Sequence, residues 1–364
     1  MQQDTLTQAA IARAQAALAI ASDQHENSRT GFLAGRFLKS IACGGVEPAT
    51  YVRQQPWERG DVLTRAVGAI GQGDLGAGAM APVLEDFIDL VRPLSVLARM
   101  GVPLLPFGNR SLTRSAGQAA GFHAEGGAIP VSGLRFAPSA ALHPHPVSAM
   151  DVVTREALDG SPGLDRFIAA SLAADVADAI DRAFLDPFND GTGPAPASIT
   201  NGAITIPSVG DPKADVEAAI AAFAGDMRRA HFVLHPRTAA QLAFAAADWT
   251  DTSIGVQGGR IVGIPAVCSE SVPFDSSGAL IVLADASSLA VALEATDLVA
   301  SDQGLIEMDD SPAGSSATPT PTQAVSLWQS NSVAFKATCR IDWQVRRAGS
   351  VVVVSGASYS GVSP

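Results

Sequence analysis

Lysine occurs only three times in the 364 residues, at Lys39, Lys213 and Lys336, and charged residues of every kind make up just 16% of the chain. With 47% hydrophobic residues, so sparse a charge excludes a solvated, disordered polypeptide. Aromatics are also scarce at 5%, so the apolar fraction is mostly Ala, Val, Leu and Ile. Basic charge is in deficit: the net charge is −12 and the pI about 4.9. That disfavours a tight nucleic-acid binder, which needs a basic face to neutralise phosphates. A container for DNA remains compatible, since an acidic lining keeps the polymer from sticking. The three cysteines, Cys43, Cys268 and Cys339, are odd in number and far apart, which suits reduced thiols better than a disulfide framework. Each is expected to act as a small buried hydrophobe. No run reaches the ~18 apolar residues of a membrane helix. Met1–Thr7 is polar, without a basic stretch leading into an apolar one, so no signal peptide is expected and synthesis in the cytosol is. What remains is a chain long enough to bury a core without metal or disulfides. Its surface is weakly polar and suited to burial in an assembly.

Helical patterning is present at the start. Residues 4–21 are rich in Ala, Gln and Leu and lack Gly and Pro, and a second helical piece over 32–41 ends at Gly44-Gly45. GQGDLGAG, from Gly71 to Gly78, reads as a flexible boundary that makes the N-terminal segment separable. It is not a Walker A loop, which would end in Gly-Lys-Ser/Thr. Over 81–100, Leu84, Phe87, Ile88 and Val91 share one helical face before Pro93 interrupts. Residues 103–146 turn to Gly, Pro, Ser and short apolar alternations, the pattern of a long two-stranded excursion. An excursion of that size is uncommon without a task of its own.

The strongest helical pattern spans 162–185. Leu164, Phe167, Ile168, Leu172, Val176, Ile180 and Phe184 form a stripe, Ser161 is the expected N-cap, Pro162 sits in the first turn and Pro187 stops the run. At ~1.5 Å per residue it spans roughly 35 Å, the length of a girder. A further amphipathic helix is expected over 214–229, a strand over 231–234 and a helix over 237–247. Strands follow at 262–267, 280–284 and 289–293, a Ser/Thr/Pro/Gly loop over 311–322, and β segments over 324–347 and 351–354. Helices and strands interleave without regular βαβα alternation, so the class is α+β.

Chemistry-bearing residues do not converge on a known site. His231 and His235 are four apart, but Phe232-Val233-Leu234 between them favours a strand, and no HExxH surrounds them. His143 and His145 lie in HPHP, where prolines preclude a helix. Glu156, with Asp151 and Asp159 nearby, is a conceivable acid/base group, yet carboxylates at a helix start more commonly serve as caps. Arg346-Arg347 is too small for a nucleic-acid patch. GxSxG, CxxC and a GxGxxG after a strand are all missing. No enzyme activity, cofactor or metal is expected.

Five segments in a fixed order nevertheless resemble the major capsid proteins of the phage Hong Kong 97 family. The first is the glycine-rich hinge with the apolar helix of 81–100. The second is GFHAEGGAIPVSGLRF, in which Glu125, Gly126, Ser132 and Phe136 occupy the positions of the family's extended-loop signature. In the third, residues 147–185, Asp181, Ala183, Phe184 and Leu185 match the ending of the family's spine helix. HFVLHPRTAAQL and GRIVGIPAVCSESVP make the fourth, with Gly263, Pro265 and Val267 near the family's turn, and LIVLADASSLAVA follows with Asp285 ending a strand. The fifth is the closing block from Leu327 to Tyr359.

The resemblance covers about 73–359 and implies a Hong Kong 97-type fold. Its expected parts are a helical N-terminal segment (1–72) and an arm with the first helix (73–102). An extended β-hairpin loop (103–146) follows. A peripheral domain (147–205 and 320–347) would carry the spine helix, and an axial domain would take 206–319 and 348–364. The first segment is a candidate scaffolding or assembly region, with the hinge as the expected place of clipping. The implied candidates for contact between subunits are Glu125, Gly126, Ser132, Phe136, Arg155, Glu156, Arg346 and Arg347.

The implied partners are further copies in hexamers and pentamers, and a portal, with a prohead protease or decoration proteins as additional candidates. DNA would be enclosed without sequence-specific binding, and no membrane is involved. The implied location is the virion, assembled in the host bacterial cytoplasm. Some family members crosslink a loop lysine to a neighbour's asparagine; with no lysine in 103–146, a noncovalent shell is expected here. The alternatives are an encapsulin-like nanocompartment shell, which shares the fold, and a soluble hydrolase with an unrecognised site. An adhesive decoration protein fits the long helix poorly.

Overall fold

In a computed structural model of the chain, the described residues are 31–44, 47–57, 59–71, 77–108, 110–116, 135–161, 163–245, 249–275, 278–307 and 324–359. The helix expected over 4–21 and the loop expected over 311–322 lie outside them, as does the centre of the glycine-rich stretch.

Helices α1 (Phe32–Gly44), α2 (Pro48–Gln54), α3 (Gly60–Gly71) and α4 (Ala77–Val91) form a packed group. On α4 the buried residues Met80, Val83, Phe87 and Val91 recur at three- and four-residue spacing, as a helix with one face in a core must. Leu84 and Ile88 are half-buried beside them. The Asp86 carboxylate accepts the N–H groups of Gly31 at 2.9 Å and Ala34 at 3.1 Å, capping α1 from a different helix. A Cβ at Gly35 would stand 2.5 Å from the Asp165 carbonyl oxygen, so only glycine permits that approach. The described part of the N-terminal segment thus packs against α4. The glycine-rich stretch joins two helices that share one core.

α4 stops two residues before Pro93, and Ser95 caps the short α5 (Val96–Arg99). Strands β1 (Arg110–Ala116) and β2 (Arg135–Ala141) then pair antiparallel, as the two-stranded excursion requires, with irregular register on both sides of the central pairs. β3 (His145–Thr154) follows, then α6 (Arg155–Gly160) and the long α7 (Leu164–Leu185).

Two details of α7 differ from expectation. Ser161 does not cap it: Ser161 ends α6, whose own cap is Thr154, and the chain turns through Gly163 at φ +81° before α7 begins. Phe167 leaves the stripe and is 68% exposed. The buried positions form two rows at four-residue spacing, Ile168-Leu172-Val176-Ile180-Phe184 and Ala169-Ala173-Ala177-Asp181-Leu185. Each step of four turns roughly 40° past a full revolution, so the buried face winds about the helix and Phe167 lies opposite its beginning.

The remaining elements are β4 (Ile204–Pro207), α8 (Pro212–Ala222), β5 (Ala230–Leu234), α9 (Pro236–Ala245), β6 (Gly259–Ile261), β7 (Ile264–Cys268), β8 (Phe274–Asp275) and β9 (Gly278–Asp285). They are followed by β10 (Leu289–Ser301), β11 (Leu305–Glu307), β12 (Ala324–Ser326), β13 (Ser332–Val345) and β14 (Val351–Ala357). One sheet has the order β4-β14-β9-β5-β7-β6, with β8 also on β9; another is β10-β13-β3; β11 pairs with β12. The larger sheet mixes parallel (β14 with β4, β5 with β7) and antiparallel pairs, which confirms the α+β class. Its core gathers Phe232, Leu234, Leu242, Ile281, Leu283, Val352 and Val354.

α8 ends seven residues earlier than its pattern suggested. Phe223 at its C-cap turns to extended dihedrals, Gly225 then passes so close to Asp285 that a Cβ there would lie 2.8 Å from that residue's own, and a single 3-10 turn follows at Met227–Arg229.

The described residues fall into two compact units. One comprises those within Met1–Leu94, Ser148–Ala177 and Ala295–Cys339; the other those within Ser95–Val147, Asp178–Glu294 and Arg340–Pro364. The chain passes from one unit to the other within β3, α7, β10 and β13.

The strand expected over 262–267 is a hairpin. Ile261 pairs with Ile264 across Val262-Gly263, whose φ values are +49° and +77°. Positive φ at both central residues is the mirror-image turn that suits twisted strands, and it calls for Asn-Gly. A β-branched valine there is strained by about 1–2 kcal/mol. Val262→Asn should therefore raise the melting temperature by a few degrees; calorimetry showing no change or a loss would mean that the valine does not carry this strain.

Candidate functional site

His231, half-buried on β5, donates from Nδ1 to the Arg229 carbonyl at 3.1 Å, and burial lowers its pKa. His235 accepts the Arg237 N–H on Nδ1 at 3.1 Å, stacks on Phe274 at 4.8 Å between ring centres, and so caps α9. His145 bonds the Pro194 carbonyl at 2.9 Å. Among the described residues no group of three or more His, Cys, Asp or Glu side chains is placed to hold a metal. The thiols of Cys268 and Cys339 are buried, and burial pushes them up to about 11 and about 12, which leaves little thiolate at neutral pH. Cys43 departs from the expected full burial: it is half-exposed, with Sγ 3.7 Å from Asp159 Oδ1.

The candidate contact residues divide three ways. Glu125, Gly126 and Ser132 lie outside the described residues. Phe136 lies on β2 opposite Arg114. The four others are positioned by bonds within the chain. Arg155 pairs with Asp302 at 2.7 Å, and Glu156 accepts from Asn331 Nδ2 at 2.6 Å. The Glu156 carboxyl is held below its usual range by its own backbone N–H at the start of α6, then by Asn331. Asp151 is half-buried on β3 and Asp159 is exposed on α6. Arg346 donates to the carbonyls of Ser287 at 2.5 Å and Leu289 at 3.3 Å. Arg347 is exposed, and its carbonyl accepts the Ser350 hydroxyl at 2.7 Å.

Among the described residues, four buried aspartates organise the loops, and only two of them, Asp181 and Asp285, stood out in the sequence. Asp285 ends β9 and accepts from the Asp226 N–H (3.0 Å), the Ser287 N–H and hydroxyl (2.8 and 2.6 Å) and the Ser288 hydroxyl (2.5 Å). Burial raises its pKa, but these donors outweigh it and the net shift is downward. Asp215 on α8 accepts the Val209 N–H at 2.9 Å, the Tyr359 hydroxyl at 3.0 Å and the Ser208 hydroxyl, tying the chain end to β4's exit. Asp342 on β13 accepts the N–H groups of His143 at 2.7 Å and Trp343 at 2.8 Å. Asp181 on α7 accepts the Ser95 hydroxyl at 2.9 Å and the Val96 N–H at 3.0 Å. Asp215 and Asp342 had one available signal, a lone carboxylate inside an otherwise apolar pattern.

Apolar side chains stand out at several exposed points, among them Phe188 (89%), Phe244 (80%), Trp328 (79%) and Leu305 (74%). Such groups are what an association surface needs and what catalysis does not.

The sequence model of the Phage capsid family matches residues 82–356. A capsid polyprotein of Pseudomonas phage PAJU2 is 33% identical over 303 residues, covering 78% of this chain and 45% of that protein. The chain thus spans about half the length of that relative. Among solved structures, one of Gordonia phage Cozz is 18% identical with a TM-score of 0.49, covering 72% of this chain and 86% of its own. The capsid of a native GTA particle is 18% identical with a TM-score of 0.46, covering 71% and 89%. A satellite phage P4 procapsid that includes the size determination (Sid) protein is 11% identical with a TM-score of 0.46, covering 76% and 91%.

Asp181 makes this geometry measurable. Burial pushes its carboxyl up to about 6, against the opposing pull of Val96, Ser95 and Arg99. A native pKa above the ~3.9 of a free aspartate means that protonation favours the fold. That contribution is complete below about pH 4 and is lost as pH rises through about 6. Asp181→Asn cannot ionise, so between pH 4 and 7 its stability should gain on wild type, by roughly 2–3 kcal/mol. Parallel melting curves across that range would refute the assignment.

Proposed function

The chain belongs to the phage capsid family, and from that premise we propose that it is a major capsid protein, assembling as hexamers and pentamers into the icosahedral shell that encloses phage double-stranded DNA. The family match over 82–356 carries this reading, and similarity to a phage capsid polyprotein supports it over a bacterial nanocompartment. The chemistry agrees. A shell subunit needs apolar contact area and internal rigidity, which exposed Phe188, Phe244 and Trp328 and the buried aspartates supply. A net charge of −12 suits enclosure of DNA without tight binding. In this reading the partners are copies of itself, a portal, and a prohead protease or decoration proteins, with assembly in the host cytoplasm before the subunit becomes part of the virion.

Each neighbour contributes modest apolar burial at ~25 cal/mol per Å², and closure of the lattice multiplies it. Negative-stain microscopy of the purified full-length chain should show shells or six- and five-membered rings. A species that stays monomeric at every concentration and in every buffer would sink the proposal. The absence of lysine from 103–146 adds a second expectation: mature particles boiled in denaturant and reductant should run as single subunits. A ladder of covalent multimers on that gel would contradict a noncovalent shell.

A further inference from the structure

Leu305 is exposed on β11, and Trp328 is exposed in the turn that follows β12. Leu305 lies opposite Ser326 in the β11–β12 pairing, and the Leu327 N–H reaches the Gly304 carbonyl at 3.1 Å, which places Trp328 at the same tip. Trp328 is 79% exposed and Leu305 74%. Large apolar side chains on a surface turn are costly unless something covers them.

The tip is held from beneath. Arg155 grips Asp302, two residues before Gly304, at 2.7 Å. Asn331 closes the turn after Trp328 with φ +48°, a conformation asparagine tolerates, and it is bonded twice to the start of α6. Its carbonyl accepts the Arg155 N–H at 2.9 Å, and its side-chain amide donates to Glu156 at 2.6 Å. Arg155 and Glu156, the candidate contact residues, thus brace the loop that presents the tryptophan.

We propose that the Leu305–Trp328 tip docks on a second copy of this chain, an assignment that rests on the capsid reading. Charge selects the occupant. Two chains of net charge −12 repel at range, so they meet best where charge is low. Segments 302–307 and 324–331 carry only Asp302 and Glu307, and Asp302 is paired with Arg155. Nucleic acid would require basic groups that neither segment has. Area sets the strength. A tryptophan buries about 150–250 Å², against roughly 800 Å² per partner in a free-standing complex. The contact is therefore too small to hold an isolated pair and acts when repeated around a closed lattice.

The test compares wild type with Trp328→Ser and Leu305→Ser, all full length, by microscopy and light scattering over a concentration series. Far-UV circular dichroism and melting temperature verify the fold. The variants should still form rings but need at least about tenfold higher concentration to close shells, with Trp328→Phe close to wild type. Closure of Trp328→Ser shells at wild-type concentration overturns the docking assignment alone. Wild type that never associates overturns the capsid reading and this inference together. Hydrogen exchange in wild type gives an answer independent of any variant: amides of 324–331 should become protected on going from rings to shells. Protection already complete in rings or isolated subunits would show that the chain's own residues or a ring neighbour cover the tip, and would overturn the proposal.

Discussion

The loops of this protein depend on carboxylates withdrawn from water. A buried aspartate is stable only when donors converge on it, since a charge or an unmet acceptor in the interior costs several kcal/mol. Each of Asp181, Asp215, Asp285 and Asp342 meets that condition with backbone N–H groups; Asp181 and Asp215 also draw on hydroxyls from distant segments, and Asp285 on those of nearby Ser287 and Ser288. Because each carboxylate has at least one donor far away in sequence, satisfying it fixes several chain segments at once. Asp285 alone gathers the end of β9, the turn that leads into β10 and the chain before β5, while Arg346 clasps the same turn through its carbonyls. In a chain with so few charges, much of the acidic side-chain chemistry is spent on architecture.

The same economy governs the helices. α1 receives its cap from Asp86 on α4, Gly31 turns into it at φ +92°, and Gly35 permits a backbone approach that any larger residue would block. A segment joined by a glycine-rich stretch is thereby integrated into a common core. Composition marks where a chain can bend, while packing decides whether the two sides separate.

Periodicity made the main elements legible. The long helix, the two-stranded excursion, the strand-helix unit around His235 and the Val-rich final strand all follow from local patterns of apolar residues. Misreadings arose where distant contacts overrule local preference. Val262 belongs by propensity to a strand, yet the pairing of Ile261 with Ile264 forces it into a turn. Residues 223–229 continue the helical pattern, but Phe223 is extended and only a 3-10 turn forms at Met227–Arg229, with Gly225 against Asp285. Ser161 has the right chemistry for a cap and ends the preceding helix instead. The candidate site was legible as chemistry and less so as geometry. Arg155 and Glu156 were singled out, whereas the exposed Trp328 they support was not, because the turn that presents it depends on Asn331 and Asp302, far from either in sequence.

The winding of the buried face along α7 has a mechanical consequence. Over the sixteen residues from Ile168 to Phe184 the inward side advances by roughly 160°. A rod with a straight apolar seam can roll in its groove at little cost. One whose seam spirals behaves like a threaded screw, because rotation that suits one end strips the other. Any change of shape a subunit undergoes within a larger particle must then bend this helix or shift it along its axis, and cannot simply spin it.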